Sequence, residues 1–271
     1  MRHLLFFLLL LLSSQTYAFD HSHQTLDKLL DTIVTEKGPQ SFVDYDYLKA
    51  QPETLNNYLA QLEAVSKNDF DNWDKNQQLA FLINAYNAFT LKLILNNYPG
   101  IESIRDLGGL IISSPWKKKF FTLFGKKASL DYIEHDVLRE EYNEPRIHFA
   151  VNCASIGCPA LQKRAYIASQ LDEQLEKATI QFMRDPERNR FDKNKKLLEI
   201  SSIFNWFTGD FTKQGSLKNF IAPYISNDPE IRKLLEDNDG NSQQSGGINK
   251  IVNDNAISII YLDYDWSLNK Y

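Results

Sequence analysis

Four side chains able to do chemistry fall within one short stretch: His135, His148, Cys153 and Cys158. They include both cysteines of the chain, and the other three of its five histidines (His3, His21, His23) lie in or just after the N-terminal segment. Three chemistries fit such a set. Cys153 can act as a nucleophile, with His135 or His148 taking its proton and Asn152 or Asp131 orienting the base. The four side chains can instead hold a metal, zinc above all, which suits two thiolates and two imidazoles. Their spacing matches no standard zinc finger, however. In the third chemistry Cys153 and Cys158 close a disulfide across a turn, with the histidines as bystanders.

The flanking sequence says what must position them. Ser129 fits a helix cap, and Leu130 to about Glu140 reads as a helix with Ile133, Val137 and Leu138 inward. On it Asp131, His135 and Arg139 follow one another at four-residue spacing. Asp131 can hold one imidazole nitrogen of His135 and leave the other to act as base or ligand, and Glu134 is a second acid able to orient the ring. Ile147 to Asn152 alternates and reads as a strand, with His148, Ala150 and Asn152 on one face. Cys153 then enters Ala154-Ser155-Ile156-Gly157, where the backbone N–H groups of a tight turn would lower a thiol pKa and bind an oxyanion.

Further out, the clearest helix runs from about Asp74 to Asn97, with Leu79, Leu82, Ile83, Tyr86, Thr90, Leu93 and Ile94 as its apolar stripe. Asn84 and Asn87 share a face of it, either framing the site or tying down a loop. Other helices are expected around Leu26–Val34, Leu55–Leu62, from a capping-box-like Ser169 and Asp172, and after Ser216 and Asp228. Strands are expected at Phe120–Phe124, Leu197–Ile200 and Ala256–Leu262, with loops at Gly108-Gly109 and over 239–247. The pattern predicts an α+β fold: a mainly helical single domain over 19–271 with a small mixed or antiparallel sheet.

Residues 1–18 read as a secretory signal: Arg2, an apolar run from Leu4 to Leu12, then Thr16 and Ala18 before the cut. That run is too short to span a bilayer, and no later stretch reads as a membrane helix. The expected location is the periplasm or the medium, with residues 19–25 polar and loose. Formal net charge is −5, and loss of Arg2 makes the mature chain one unit more negative. That disfavours nucleic acid as a partner and leaves a peptide, a glycan or a small molecule. Lys117, Lys118, Lys119, Lys126 and Lys127 read as a solvated hairpin surface.

The motifs FLINAYNAFTLKLIL (81–95), SPWKKKFF (114–121), SLDYIEHDVLR (129–139), RIHFAVNCASIGCPAL (146–161) and SSIFNWF (201–207) resemble the domain of unknown function 547 family. The resemblance covers about 77–210 and extends faintly to YDWSLN (264–269). It implies an α+β domain, exported or intracellular, and brings no established reaction. The family pattern occurs in intracellular proteins too, which favours a nucleophilic or metal-bound thiol over a purely structural bridge. The expected function is therefore a cysteine-dependent hydrolase or acyl transferase of the cell envelope. Cys153 is its nucleophile and His135 its base, with His148, Asn152 and Glu134 in support and no cofactor. The alternative is a non-enzymatic envelope binding or assembly domain, with a structural zinc site or disulfide at the cluster.

Overall fold

A computed structural model describes residues 18–108, 114–237 and 257–271. Residues 1–17 of the expected signal, Gly109, the 239–247 loop and Ala256 lie outside the described residues. The described chain is a mainly helical α+β fold with small sheets, as the interleaved patterns predict.

The first helix, α1 (Gln24–Ile33), buries Leu26, Leu29, Leu30 and Ile33 on one stripe. A hairpin, β1 (Val34–Lys37) and β2 (Gln40–Val43), leads into α2 (Tyr45–Ala50), α3 (Glu53–Ala64) and α4 (Lys67–Asp71). The central element is α5 (Lys75–Leu95), opened by a reciprocal capping box between Asp74 and Gln77. By length and apolarity α5 could cross a membrane, contrary to the sequence expectation, but 94% of its apolar window is buried inside the protein. It is the core helix around which the larger apolar cluster packs.

Residues 19–25 are not loose. Phe19 packs its ring against Trp73 and Phe81, and His23 is buried with Nδ1 2.6 Å from the Tyr58 hydroxyl. Burial, with His21 beside it, brings the His23 pKa down to about 4. The folded state therefore binds this proton less readily than the unfolded chain does. The stability that neutral His23 contributes is complete above about pH 6.5 and drains away as pH falls toward 4, a loss of roughly 3 kcal/mol. A melting-temperature series from pH 7 to 4 should show this acid loss in the wild type and a shallower one in His23→Gln.

A hairpin of β3 (Phe121–Leu123) and β4 (Lys126–Ala128) follows, its lysines exposed. Then comes a helix over 130–141, α6, which is π-helical over Tyr132–Leu138. The Ser129 hydroxyl accepts the Tyr132 N–H, as its capping role requires. Residues 147–152 do not form a strand. Pro145–Phe149 is a 3-10 helix, started by Pro145 and by Glu144 accepting the Arg146 N–H. The alternation misleads because both of its faces are buried: His148, Ala150 and Asn152 are as enclosed as Ile147 and Phe149. Periodicity separates strand from helix only where one face meets water.

The next helix, α7 (Leu171–Met183), is preceded by a 3-10 turn and not capped by Ser169. Asp172 is drawn instead to Arg146, which also binds Glu144 and Glu176 and so clamps the 3-10 helix to α7. Strands β5 (Arg190–Asp192) and β6 (Leu197–Ser201) pair antiparallel, and β7 (Ser258–Leu262) joins β6 in parallel, giving a mixed sheet. The apolar run of β7 reads as a buried strand, but its side chains are half-buried or exposed. Between β6 and β7 lie α8 (Ile203–Trp206), α9 (Thr208–Phe211), α10 (Leu217–Ile225) and α11 (Pro229–Asp237). Ser216 caps α10 as expected. Phe149, Phe182, Phe204 and Phe211 centre a second apolar cluster here, and the site lies where the two clusters meet.

Candidate functional site

Asn84 and Asn87 both tie down chain segments. Asn87 donates to the Ala150 carbonyl at 2.9 Å and accepts the Asn152 N–H at 2.8 Å. Asn84 does the same for Tyr166 through its C=O and N–H, at 2.7 and 3.0 Å. Each buried amide thus replaces the strand partner that these segments lack. Asn152 continues the pattern: it donates to the Pro159 carbonyl and accepts the Ala154 N–H, both at 2.8 Å. Asn152 therefore shapes the cysteine loop, and its side chain is hydrogen-bonded to that loop and not to either histidine.

That loop is closed by a Cys153–Cys158 disulfide. Ala154 takes a left-handed conformation at φ 63°, a strained choice for a residue with a Cβ, held by Asn152 on its N–H and by the Asn269 N–H on its carbonyl. The C-terminal segment straps the loop down. Ile156 and Gly157 donate to the Ser267 and Asp265 carbonyls, both at 2.8 Å. A Cβ at Gly157 would lie 2.9 Å from the Asp265 carbonyl and the Tyr264 ring, so only glycine admits this approach. Arg188, paired with Asp185, also donates to the Ile156 carbonyl.

The turn does not offer the ring of free amides that its sequence suggests. The N–H groups of Ala154, Ile156, Gly157 and Cys158 are all used within the loop and strap. What faces the sulfurs is the Cys153 N–H, 2.9 Å from Cys158 Sγ, and two hydroxyls. Tyr264 Oη stands 3.2 Å from Cys153 Sγ and 3.1 Å from Cys158 Sγ, and Ser155 Oγ stands 3.0 Å from Cys153 Sγ. Burial raises the Tyr264 pKa above its ordinary value, so its hydroxyl stays a donor. Cys153 is the partly accessible sulfur and Cys158 the buried one.

The disulfide forms part of the wall of a pocket of about 200 Å³ that is also lined by Asp131, Glu134, His135 and His148. Asp131, Glu134 and His135 reach this wall from the π-helical part of α6 and its start, and such turns are frequent at functional sites. The Tyr86 hydroxyl is buried against Glu134 and Trp116, and burial together with Glu134 holds its pKa well above the ordinary value. A larger surface hollow of about 650 Å³, lined by Glu36, Glu173 and Lys177 among others, contains none of the four candidate side chains.

The two histidines differ in their bonding. His135 Nδ1 lies 2.6 Å from Arg139 Nη1. A guanidinium can only donate, so this nitrogen is occupied as an acceptor. Its Nε2 is 3.8 Å from Asp131, too long for a hydrogen bond. His148 has Nε2 2.8 Å from Asp210 Oδ2, its ring stacked on Phe207 at 4.0 Å, and a buried Nδ1 that finds no partner among the described residues. Burial lowers the His148 pKa, against the pull of Asp210. Burial opposes ionisation of Asp210 as well, yet hydrogen bonds from His148 and Arg139 hold its carboxyl far below the usual carboxylate range. Arg139 Nε lies 2.5 Å from the same oxygen. His148 is thus a neutral imidazole whose proton sits on Nε2 toward Asp210, leaving the Nδ1 lone pair free. Asp210, 62 residues from His148, escaped the sequence reading, as did Tyr264.

Among the described residues no three of His, Cys, Asp and Glu converge as a metal-ligand set. The zinc expectation needed both sulfurs and both imidazoles; the sulfurs are bonded to each other, and His148 Nε2 is taken by Asp210.

An α+β fold that packs a disulfide, a carboxylate-bound histidine and an aromatic wall into one pocket defines a class of site rather than a reaction. Residues 70–183 match the model of a family described as "Protein of unknown function, DUF547". The matched segment holds His135, His148, Cys153 and Cys158, while Asp210 and Tyr264 lie beyond the match. No curated protein and no solved structure matches the chain.

Proposed function

We propose that the pocket is the active site of a thiol-dependent acyl-transfer enzyme, a hydrolase or transferase, exported to an oxidising compartment. The nucleophile is Cys153, released when the bridge to Cys158 is opened. His148 supports this reading best: a neutral imidazole, fixed by Asp210 on one nitrogen and unpaired on the other, in the wall that also holds Cys153. The base role expected of His135 passes to His148, because Arg139 already occupies the His135 lone pair.

Two equivalents of a small thiol open the bridge. The first bonds to the accessible Cys153 Sγ and expels Cys158 as a thiolate, which the Cys153 N–H and the Tyr264 hydroxyl stabilise. The second displaces Cys153, and the reductant departs as its own disulfide. The loop stays held by Asn152 and the C-terminal strap, so Cys153 remains in place. His148 Nδ1 then takes the Cys153 proton as Sγ bonds to the acyl carbon, and the carbonyl electron pair moves to oxygen near the Tyr264 hydroxyl. Collapse of this adduct breaks the bond to the leaving group, which takes the proton from His148. Water, or a second acceptor, is deprotonated by His148 and releases the acyl group, restoring the thiol.

The test is hydrolysis of p-nitrophenyl acetate before and after reduction. Turnover should appear only in the reduced protein and vanish in Cys153→Ala. Equal turnover in the oxidised protein, or in that variant, would remove Cys153 from the reaction. The intact bridge favours a second reading, a binding domain clipped by its disulfide, which predicts no turnover in either state.

A further inference from the structure

The walls of this pocket are aromatic and its formal charge is of one sign. Its lining includes Trp116, Trp206, Trp266 and Tyr264 together with Asp131 and Glu134, and no Lys or Arg among the described residues. Three of the four tryptophans in the chain are thus gathered at one cavity. Trp206 stacks on Trp266 with ring centres 5.6 Å apart, and Trp116 meets Trp266 edge-on at 5.8 Å. Tyr264 lies 4.9 Å from Trp206. Trp206 is nevertheless 46% exposed, so this ring presents open surface beside the cavity.

Aromatic faces carry negative charge density and attract cations, best when several rings surround them. The chain already makes this contact once at the rim, where the Arg105 guanidinium lies 5.3 Å over the Trp266 ring. Two further guanidinium groups nearby are committed elsewhere: Arg139 to Asp210, His135 and the Phe207 face, and Arg188 to Asp185 and the Ile156 carbonyl. An anionic ligand would meet Asp131 and Glu134 with no cation in the lining to offset them. A neutral sugar could stack on the same rings and donate its hydroxyls to the carboxylates, but it carries no charge to balance theirs. The volume, about 200 Å³, is below that of sites for drug-sized ligands and suits a small head group.

We infer that the pocket selects a ligand carrying a small alkylammonium group, held among Trp206, Trp266 and Tyr264 and balanced by Asp131 and Glu134. As a statement about substrate it rests on the acyl-transfer reading, and it makes the acyl donor a cationic ester or amide. As a statement about binding it stands on the cavity alone.

The test uses the full mature protein with its disulfide intact, so no turnover occurs. Choline, its neutral isostere 3,3-dimethyl-1-butanol and glucose are titrated separately, with binding followed by tryptophan fluorescence and calorimetry. Choline should bind at least tenfold more tightly than the isostere. Trp206→Ala, at a half-exposed position, should weaken choline binding about tenfold. Asp131→Asn should weaken choline binding and leave that of the isostere unchanged. The inference is overturned if choline does not bind, if the isostere or glucose binds as well, or if Trp206→Ala has no effect. These readings do not depend on whether Cys153 acylates, so failure of the acyl-transfer reading and failure of this one are distinguishable.

Discussion

His148→Ala is expected to slow acylation of the reduced protein by about 10²–10⁴-fold at pH 7, the usual worth of a positioned general base. The variant loses the one buried imidazole lone pair in the pocket that is free of a partner among the described residues. Asp210→Asn should also be slow, although it preserves shape. Its amide can donate to His148 Nε2, which would place the ring proton on Nδ1 and remove the base. The pH dependence follows from the same bonding. Burial lowers the His148 pKa, so the base stays unprotonated below the ordinary histidine value near 6.5. The acid limb of the rate profile should accordingly fall below pH 6.5 and not above it. His135→Ala is expected to have a smaller effect, working through Arg139 and thus through the carboxylate that Arg139 and His148 share. If His135→Ala proved the more damaging, the base would have to be reassigned.

The second large effect is on stability. Asn87→Ala should destabilise the fold by about 2–5 kcal/mol, because it leaves the buried Asn152 N–H and Ala150 carbonyl without the partner that now satisfies both. A lost hydrogen bond at the surface would cost far less, since water replaces it. Asn87→Asp, which can accept from Asn152 but cannot donate to Ala150, should also be destabilising. Urea unfolding checks both variants, read as a shift of the midpoint at constant slope. Both should reduce thiol reactivity as well, since Asn87 sets the segment that ends at Cys153.

Much of this arrangement is legible in the chain. Asp74 and Gln77 announce the start of α5, and the single face shared by Asn84 and Asn87 follows from helical spacing. Their work as loop clamps does not follow, because nothing local says which backbone they reach, 82 and 63 residues away. The helix after Ser129 is readable, but its π-helical turns are not: they depend on how α6 packs, and the four-residue spacing of Asp131, His135 and Arg139 fits an ordinary helix as well. The segment from Ile147 to Asn152 misleads for a physical reason already visible in its burial, since a strip enclosed on both sides carries no solvent-facing period. The location of the site was carried by the rarity of histidine and cysteine. The roles within it were not, because Asp210 and Tyr264 arrive from distant sequence and decide which histidine is free and which hydroxyl faces the sulfurs.

The central claim is that Cys153, once reduced, forms a covalent acyl intermediate with the help of His148. It is tested most directly by mixing the reduced protein with p-nitrophenyl acetate, quenching in acid within the first turnover, and recording the intact mass followed by a peptide map. A single added acetyl group on Cys153, absent from the oxidised protein and strongly diminished in His148→Ala, is the expected result. An unmodified mass, or acetyl groups scattered over lysines with Cys153 untouched, would contradict it.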